Sequence, residues 1–498
     1  MSGETVAERR LHPGTILLRF VKEAPSTVLA LPAGLAFVSD AGLTRALGWA
    51  AAIGIALLLF GALAWWRFRY GVGSGEIVIE SGILSRNRRS IPFGRIQDVD
   101  LERSFLARLF GLAKVRIETG AGGKDEGTLD SVSLGEAHRL RETVRAWRSG
   151  HAAEAAEAAV AAEHEAVSTL FEMPIGRVFA SGLFNFSLVY LAGLFALLQS
   201  FDQLLPFDIY DPARWLGLVG EYLPSRFSLG AIAAVLVLAA MLGVVAGVLR
   251  TLSRDYGYKL SLEGRRFRRE RGLFTRSEVV VDRRRIELAQ VETAPLRRKL
   301  GWFALSFQTL GAGGDASGRQ SAAPFARREE MERVLAETHG LRLPPDGVMV
   351  RVSKRHVWRA LGAALLPFGA AALALTLWLK AALLMFLAFP LLAAAALLER
   401  RFHRYGLAGD LLFVARGIWR QRLWILPVAN VQSLSLSRGP LQRRLGLTTL
   451  ALDTAGAPLL NSPRIIDLRD DLARALAAEV GRRRRAAQAS GRKSGTER

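Results

Sequence analysis

The chain has 498 residues, of which 50% are hydrophobic and 22% charged, and its formal net charge is +22. It is longer than one typical domain, and its mixture of apolar and charged residues excludes both a plain soluble enzyme and a bundle buried wholly in lipid. The absence of cysteine excludes disulfides, thiolate metal sites and cysteine nucleophiles. The excess of cations favours contact with anionic surfaces, either nucleic acid or the inner face of a membrane.

Long uncharged apolar runs recur in pairs along the chain. The five strong runs are Ala46–Trp66, Val178–Phe201, Phe227–Val248, Ala360–Leu379 and Ala381–Leu398, and a weaker sixth run is Ser26–Val38. Each strong run approaches or exceeds the roughly 18–20 residues that a helix needs to cross ~30 Å of hydrocarbon. We therefore predict about six transmembrane helices, arranged as three hairpins.

Cations flank the outer ends of these predicted hairpins, whereas the turns within the hairpins carry few. The flanking cations include Arg19, Lys22, Arg67, Arg69, Arg177, Arg250, Arg254, Lys354, Arg355, Arg359, Arg400 and Arg401. By the positive-inside rule, this asymmetry predicts a multi-pass protein of the bacterial inner or plasma membrane. Both termini and all the charged blocks are then expected in the cytoplasm.

The charged blocks between the apolar runs are three copies of one repeated unit. Gly82, Gly272 and Gly417 are each followed 29 residues later by another glycine, at Gly111, Gly301 and Gly446. Without gaps, four further sets coincide: Ile96, Ile286 and Val431; Leu101, Val291 and Leu436; Arg108, Arg298 and Arg443; and Thr119, Thr309 and Thr454. Agreement at so many fixed offsets indicates an internal triplication. The third unit departs at Asn430, where the others have Arg95 and Arg285.

Within each unit the apolar residues alternate and then become helical in period. Val115 and Ile117, with their counterparts Leu305 and Phe307, alternate with more polar neighbours, as in a half-buried antiparallel strand. The units close with helix-period segments at Leu134–Trp147, Arg327–Glu337 and Leu468–Val480. Several strands followed by a helix predict a small barrel or sandwich capped by that helix.

The segments Ser81–Leu101 (SGILSRNRRSIPFGRIQDVDL) and Phe105–Gly123 (FLARLFGLAKVRIETGAGG), flanked by apolar hairpins, resemble a known family. They are similar to bacterial pleckstrin-homology (PH) membrane proteins of the YdbS/YdbT type, and three copies resemble the larger, YdbT-like members. The resemblance implies split β-barrel PH-like domains, each with a C-terminal capping helix. It also implies a complex with a smaller one-domain relative, in a role related to the cell envelope.

The expected fold is therefore α-helical membrane hairpins plus three α+β, split-barrel PH-like domains. The predicted segments are 1–66 (N-terminal segment and first hairpin), 67–149 (first PH-like domain), 150–170 (Ala/Glu-rich linker), 171–252 (second hairpin), 253–345 (second domain), 346–399 (third hairpin), 400–480 (third domain) and 481–498 (basic disordered tail).

No catalytic, metal or cofactor motif emerges from the sequence. The seven histidines are scattered without metal-ligand spacing, and the glycine-rich segment 120–123 before Lys124 lacks the remainder of a phosphate-binding loop. Asp98 and Asp100 fit a solvated strand face as well as a carboxylate pair. We expect a non-catalytic membrane scaffold without a cofactor or small-molecule substrate; the alternative is a component of a transporter or channel. Nucleic-acid binding is not expected, because recognition motifs are missing.

One arginine-rich stretch suggests contact with lipid headgroups. The candidate residues are Arg265, Arg266, Arg268, Arg269, Arg283, Arg284 and Arg285, which follow the fourth apolar run closely. If 266–271 is a strand, Arg266, Arg268 and Glu270 share one face, and Phe267, Arg269 and Arg271 share the other. Tethered near an anionic leaflet, such cations would each gain ~1 kcal/mol. The competing interpretation is an ordinary solvated strand face.

Overall fold

The structure is a computed structural model that describes residues 8–18, 43–73, 75–83, 85–119, 127–152, 167–185, 229–309, 319–338, 340–376, 388–454 and 462–494. The three repeated segments each form strands, a one-turn 3-10 helix, a further strand, a short helix, two more strands and a closing helix. We call them unit 1, unit 2 and unit 3.

Unit 1 follows a long apolar helix. Its elements are α1 (Leu43–Arg67), β1 (Arg69–Val72), β2 (Glu76–Ser81), β3 (Asn87–Pro92), β4 (Ile96–Arg103), α2 (Phe105–Leu109), β5 (Leu112–Thr119), β6 (Gly127–Ser133) and α3 (Leu134–Ala152).

Unit 2 begins with a strand that precedes its helical hairpin in the chain. Its elements are β7 (Ser168–Glu172), α4 (Ile175–Leu183), α5 (Leu229–Asp255), β8 (Lys259–Glu263), β9 (Arg266–Arg271), β10 (Arg276–Asp282), β11 (Ile286–Thr293), α6 (Pro295–Lys299), β12 (Phe303–Thr309), β13 (Arg319–Ala326) and α7 (Arg328–Ala336).

Unit 3 repeats this plan. Its elements are β14 (Val350–Arg351), α8 (Arg355–Thr376), α9 (Ala388–Phe402), β15 (Arg404–Ala408), β16 (Leu411–Arg416), β17 (Gln421–Pro427), β18 (Val431–Ser437), α10 (Pro440–Leu445), β19 (Leu447–Thr454), β20 (Arg464–Arg469) and α11 (Asp470–Ser494).

Sheets run from one unit into the next. The second half of unit 1 and the first half of unit 2 form a seven-stranded sheet in the order β6-β5-β4-β10-β9-β8-β7, and units 2 and 3 form its counterpart, β13-β12-β11-β17-β16-β15-β14. The remaining strands form a three-stranded sheet at each end, β1-β2-β3 and β18-β19-β20. The units are therefore joined by antiparallel strand pairs, β4 with β10 and β11 with β17, and not only by chain connections.

Each unit nevertheless has its own hydrophobic core between its two sheet halves and its closing helix. In unit 1, Phe93, Ile96 and Leu129 are fully buried beside Leu140 of α3. The core of unit 2 also includes Phe413 of unit 3. Burial of large apolar side chains contributes roughly 1.5–3 kcal/mol each, so this shared packing stabilises the second junction as well as the units.

The prediction of about six transmembrane helices is wrong. Within the described residues one helical stretch, Val237–Asp255 at the end of α5, has the length and apolar composition to cross a membrane, and Gly54–Arg67 is a shorter apolar stretch. Helix α4 ends at Leu183 after 9 residues, about 14 Å at ~1.5 Å per residue, which is less than the hydrocarbon thickness. Residues 377–387, between α8 and α9, lie outside the described residues. An uncharged run reports composition, whereas a span also needs an unbroken helix of sufficient length. The run Ser26–Val38 and most of Val178–Phe201 lie outside the described residues.

The basic C-terminal segment also differs from the expectation of disorder, because α11 continues to Ser494. Alanine, arginine and glutamine favour helix, and Glu479 accepts hydrogen bonds from Arg482 and Arg483 one turn later. Most of the predicted linker 150–170 lies outside the described residues, but its last residues form the start of β7.

The first anchor glycines of the repeat adopt backbone conformations that other residues avoid. Gly82, Gly272 and Gly417 have φ values of 110°, 113° and 110°. A Cβ atom on Gly272 would lie 1.9 Å from the carbonyl oxygen of Thr275. The tight turns between β2 and β3, between β9 and β10 and between β16 and β17 therefore require glycine.

We expect Gly272→Ala to lower the stability of unit 2 by about 3 kcal/mol, since the added methyl group combines a strained φ with a clash against backbone. Gly257→Ala is the matched control, because Gly257 has a φ of 60° with no atom near its Cβ position, and about 1 kcal/mol is expected there. Thermal unfolding of the full chain in mild detergent measures both. Equal losses of stability in Gly272→Ala and Gly257→Ala would show that the clash at position 272 is relieved without a cost in free energy.

Candidate anion-binding cleft between units 1 and 2

A cleft of about 470 Å³ lies at the junction of the first two units. Its lining residues are Asp100, Leu101, Glu102 and Arg116 from unit 1, and Ser253, Arg254, Arg269, Arg271, Thr275, Ser277 and Val279 from the end of α5 and unit 2. The charged lining residues are thus four arginines and two carboxylates.

The two strands at this junction pair over a shorter length than the two strands at the second junction. Strands β4 and β10 are in register over three residue pairs, from Leu101 opposite Glu278 to Arg103 opposite Arg276. At the second junction, β11 and β17 are in register over five pairs. Asn430 extends that contact by donating to the backbone carbonyl of Glu287 at 3.0 Å. The first junction therefore joins its two units over fewer residue pairs than the second.

Buried polar groups hold the arginines of the cleft in place. The carboxylate of Asp255, which is fully buried, accepts hydrogen bonds from Arg254 at 2.7 and 3.0 Å and from Arg271 at 3.4 Å. Arg269 and the hydroxyl of Tyr258 both donate to the carbonyl of Ser321, at 3.3 and 2.7 Å. Burial raises the pKa of Tyr258 to about 12, so this hydroxyl stays a neutral donor.

The cleft lies beside the end of the apolar helical stretch Val237–Asp255. Its lining includes Ser253 and Arg254 from the last turn of α5, and the carbonyl of Ser253 accepts a hydrogen bond from the backbone of Leu273 at 3.0 Å. Next along the chain, Phe274 is 55% exposed, and its ring meets that of Phe105 edge to face at 6.5 Å. Arginines and exposed aromatic rings thus meet where the apolar helix ends, a combination suited to the headgroup region of a bilayer.

The predicted lipid-contacting arginines are distributed over two ends of unit 2. Strand β9 alternates as expected: Phe267, Arg269 and Arg271 are buried, whereas Arg266, Arg268 and Glu270 are partly exposed. Among the seven candidates, Arg269 is the one that lines the cleft.

The other six candidates lie nearer the start of β9, at Arg266, than its end beside Gly272. Arg268 forms ion pairs with Glu263, Glu270 and Glu278 at 2.8, 3.2 and 3.1 Å. Arg265 and Arg284 are exposed, Arg266, Arg283 and Arg285 partly so, and the backbone of Arg283 donates to the carbonyl of Arg265 at 3.1 Å. This end is separated from Gly272 by the length of β9, roughly 20 Å for six residues. Lipid contact by these arginines stays a prediction.

A second polar cluster joins the third helical hairpin to unit 3, and sequence analysis missed it. Asp467, at the centre, contacts His356 Nδ1 at 2.6 Å, Arg359 Nε at 2.8 Å and Gln442 Nε2 at 2.6 Å. His403 lies edge to face with His356 at 6.0 Å. Both histidines and Asp467 are fully buried, so the cluster connects α8 and α9 to β20 from inside the unit. The two histidines flank the predicted hairpin, which was a signal that its two ends meet.

The electrostatics of this cluster are set by burial and by its own hydrogen bonds. Burial alone would lower the pKa of His356, but its hydrogen bonds with Asp467 and Glu399 outweigh burial and raise that pKa. Burial would raise the pKa of Asp467, yet the contacts with His356, Gln442 and Arg359 lower it. For His403, burial and the nearby Arg416 and His356 lower the pKa to about 4.

Three strand-and-helix units, joined edge to edge and each closed by a helix, define a protein with three PH-like domains. Comparison with protein families agrees: the model described as "Bacterial PH domain" matches residues 26–147, 211–341 and 361–484, well over half of the chain. The chain belongs to the bacterial PH domain family, which confirms the resemblance noted in the sequence.

Two proteins of Bacillus subtilis (strain 168) are similar to this chain. The UPF0699 transmembrane protein YdbT is 24% identical over 347 residues, which cover 66% of this chain and 68% of that protein. The UPF0699 transmembrane protein YdbS is 35% identical over 77 residues, which cover 16% of this chain and 46% of that protein. The longer match spans more than one unit, whereas the shorter one is about the length of a single unit.

Proposed function

We propose that the protein is a non-catalytic membrane scaffold, in which three PH-like units form one array beside a bilayer and bind anionic headgroups and protein partners. The observation that carries this proposal is the arginine-lined cleft at the first junction, next to the end of the apolar helical stretch Val237–Asp255. The printed names of both relatives, which describe transmembrane proteins, support the membrane location.

The charge of α5 supports a cytoplasmic position for the units in the proposed inner or plasma membrane. Arg250 and Arg254 lie at the end of the helix that leads into unit 2, and positive residues favour the cytoplasmic side. On that side the leaflet carries anionic lipid, which attracts nearby arginines by about 1 kcal/mol each. Tethering by a helix makes such weak contacts sufficient to orient the units.

The proposed protein partner is a smaller relative with one PH-like unit, in a complex related to the cell envelope. The similarity of a region of this chain to YdbS supports a partner of that kind. Sheets that already continue from unit to unit supply the type of surface by which PH-like units can associate.

We expect Arg116→Gln combined with Arg254→Gln to weaken the binding of an anionic lipid to the full chain by about tenfold or more, since two cations at ~1 kcal/mol each are removed. Both side chains are partly exposed, at 41% and 45%. Because Arg254 also binds the buried carboxylate of Asp255, thermal unfolding of the variant is measured beside its lipid binding. The measurement is titration of the detergent-solubilised protein with short-chain phosphatidylglycerol, at low and high salt, with phosphatidylcholine as the neutral lipid.

The matched control is Arg265→Gln with Arg284→Gln, which removes the same charge at the other end of unit 2. Little change is expected from it. Loss in this control alone would place the lipid contact at the arginines first predicted from sequence. Equal binding of both lipids by the unaltered protein would contradict headgroup recognition altogether.

A further inference from the structure

The two junctions between units share one register. Glu102 lies opposite Ser277 at the first junction, and Glu292 lies opposite Arg422 at the second. These four residues occupy equivalent positions of the repeat, because Gly82, Gly272 and Gly417 align the three units. The neighbouring pairs, Leu101 with Glu278 and Val291 with Leu423, are equivalent as well. Two independent sequences thus form the same strand pairing, so the pairing is a property of the repeat.

Two kinds of strand pair across the junctions, and one strand of each kind lies at an outer end of the three joined units. Strand β18 is the counterpart of β4 and β11, and within the described residues it pairs with β19 alone. Strand β3 is the counterpart of β10 and β17, and in the described part of the chain it pairs with β2 alone. A strand at the edge of a sheet presents unpaired backbone donors and acceptors.

Exposure follows directly from this difference. Leu101 and Val291 are 3% and 5% exposed, but their counterpart Leu436 on β18 is 46% exposed. Residues 432–437 of β18 carry no charge and, apart from Leu434, are exposed. Edge strands in monomeric proteins are commonly protected by charged side chains, bulges or proline. From Ser433 to Ser437, β18 has no charge or proline, so this stretch has the character of a pairing surface.

The backbone at the start of β18 already accepts a hydrogen bond from outside its sheet. At the second junction, the carbonyl of Glu287 accepts from Asn430 of the incoming unit at 3.0 Å. Its counterpart, the carbonyl of Gln432, accepts from Arg484 of α11 at 2.7 Å. Helix α11 therefore satisfies the first residues of β18, and the exposed stretch Ser433–Ser437 is the part that a new strand would occupy.

We propose that β18 of one copy of this protein pairs with β3 of a second copy, in the register of the two internal junctions. Ser437 would then lie opposite Asn87, Leu436 opposite Arg88 and Leu434 opposite Ser90. The pairing converts the two terminal three-stranded sheets into one sheet of the kind seen twice inside the chain. The inference rests on strand pairing alone and does not depend on lipid binding.

The charges of the two strands fit each other. Strand β3 carries Arg88 and Arg89 but no acidic residue, and its first five residues include four that are exposed. Strand β18 is uncharged, so the pairing brings no like charges together, unlike β3 with a second β3. Because the contact joins two different edge strands, β18 of one copy and β3 of the next, it is head to tail. Such a contact produces either open rows or closed rings of copies. Confinement in a membrane plane raises the effective concentration of the two edges.

Cross-linking tests this contact without interference, because the chain has no cysteine. Full-length protein carrying Ser437→Cys and differently tagged protein carrying Asn87→Cys are mixed in membranes and oxidised with copper phenanthroline. Opposite residues of an antiparallel pair have Cα atoms ~4.5–5.5 Å apart, which is within disulfide range. A mixed disulfide dimer is the expected result. Adding Ser435→Arg, opposite Arg89, should reduce its yield at least tenfold.

Two controls make every outcome decisive. In the first control, the off-register mixture, Ser437→Cys is mixed with Ser90→Cys, and the two cysteines would be ~10 Å apart. In the second control, Ser437→Cys is oxidised alone. Gel filtration in detergent confirms that each variant keeps the profile of the unaltered protein. The proposal is overturned if the in-register mixture gives no dimer, if the off-register mixture gives as much, or if Ser437→Cys alone gives the dimer by two-fold pairing of β18. Capture of a different PH-domain protein by Ser437→Cys, in place of the second copy, would overturn it too.

Discussion

Replacing Asp467 by alanine is expected to destabilise unit 3 by about 3–5 kcal/mol, the cost of removing one partner from a buried charged network. The carboxylate is fully buried and contacts His356, Arg359 and Gln442 within 2.8 Å. Its loss removes the carboxylate shared by His356 and Arg359 and leaves Glu399 as the acidic neighbour of His356. Asp467 also has a φ of 62°, in the left-handed region that alanine adopts with strain.

The measurement is hydrogen exchange of β19 and β20 in the full-length protein, together with its thermal unfolding. Asp471→Ala is the matched control, since Asp471 is 57% exposed and pairs with Arg469 at the surface; its loss should cost less than about 1 kcal/mol. Asp467→Asn should fall between the two, because asparagine tolerates the left-handed conformation and accepts from Gln442 but carries no charge. Equal effects of Asp467→Ala and Asp471→Ala would contradict a stabilising role for the buried cluster.

Acidification is expected to destabilise the junction of α9 with unit 3 before carboxylates titrate widely. The pKa of His403 is lowered to about 4 in the folded protein, against about 6.5 in the unfolded chain. A lowered folded-state pKa contributes stability that is present above pH ~6.5 and is lost as the pH falls towards 4. A shift of this size corresponds to roughly 3 kcal/mol at ~1.36 kcal/mol per pKa unit.

His356 acts in the opposite direction, and the two effects occupy different pH ranges. Its raised pKa contributes stability that is complete below the unfolded value of ~6.5 and is lost as the pH rises through the folded pKa. Between pH 6.5 and 4, His403 therefore lowers stability as the pH falls, whereas Glu287, whose pKa is raised to about 7 by burial, acts in the opposite direction; comparison with a His403 variant isolates the contribution of His403. His403→Gln should reduce the loss of stability between pH 6.5 and 4, because glutamine does not titrate there. Glutamine can still accept a hydrogen bond from the backbone of Ile466, as His403 Nε2 does at 3.4 Å. A wild-type slope that survives in His403→Gln would exclude His403 as its source.

The array also explains one departure in the repeat. Unit 3 has Asn430 where units 1 and 2 have arginine, and the Asn430 amide is bound to the backbone carbonyls of Ile286 and Glu287 of unit 2. This short side chain helps to close the second junction, whereas the first junction keeps its cleft. The two junctions thus differ in the contact that this residue makes across them.

The sequence by itself determined the triplication and the strands and closing helices of each unit. These features depend on local periodicity and on backbone conformation, which nearby residues specify: β9 buries Phe267 and Arg269 on one face as its alternation predicts. Only the tertiary structure decided which strand edges meet, because alternation identifies the buried face of a strand but not its neighbour. The cleft between β4 and β10 follows from that choice, and so does the meeting of His356 and Asp467, 111 residues apart. The prediction of six spans failed because an apolar run does not by itself specify a long unbroken helix, as α4 shows by ending at Leu183.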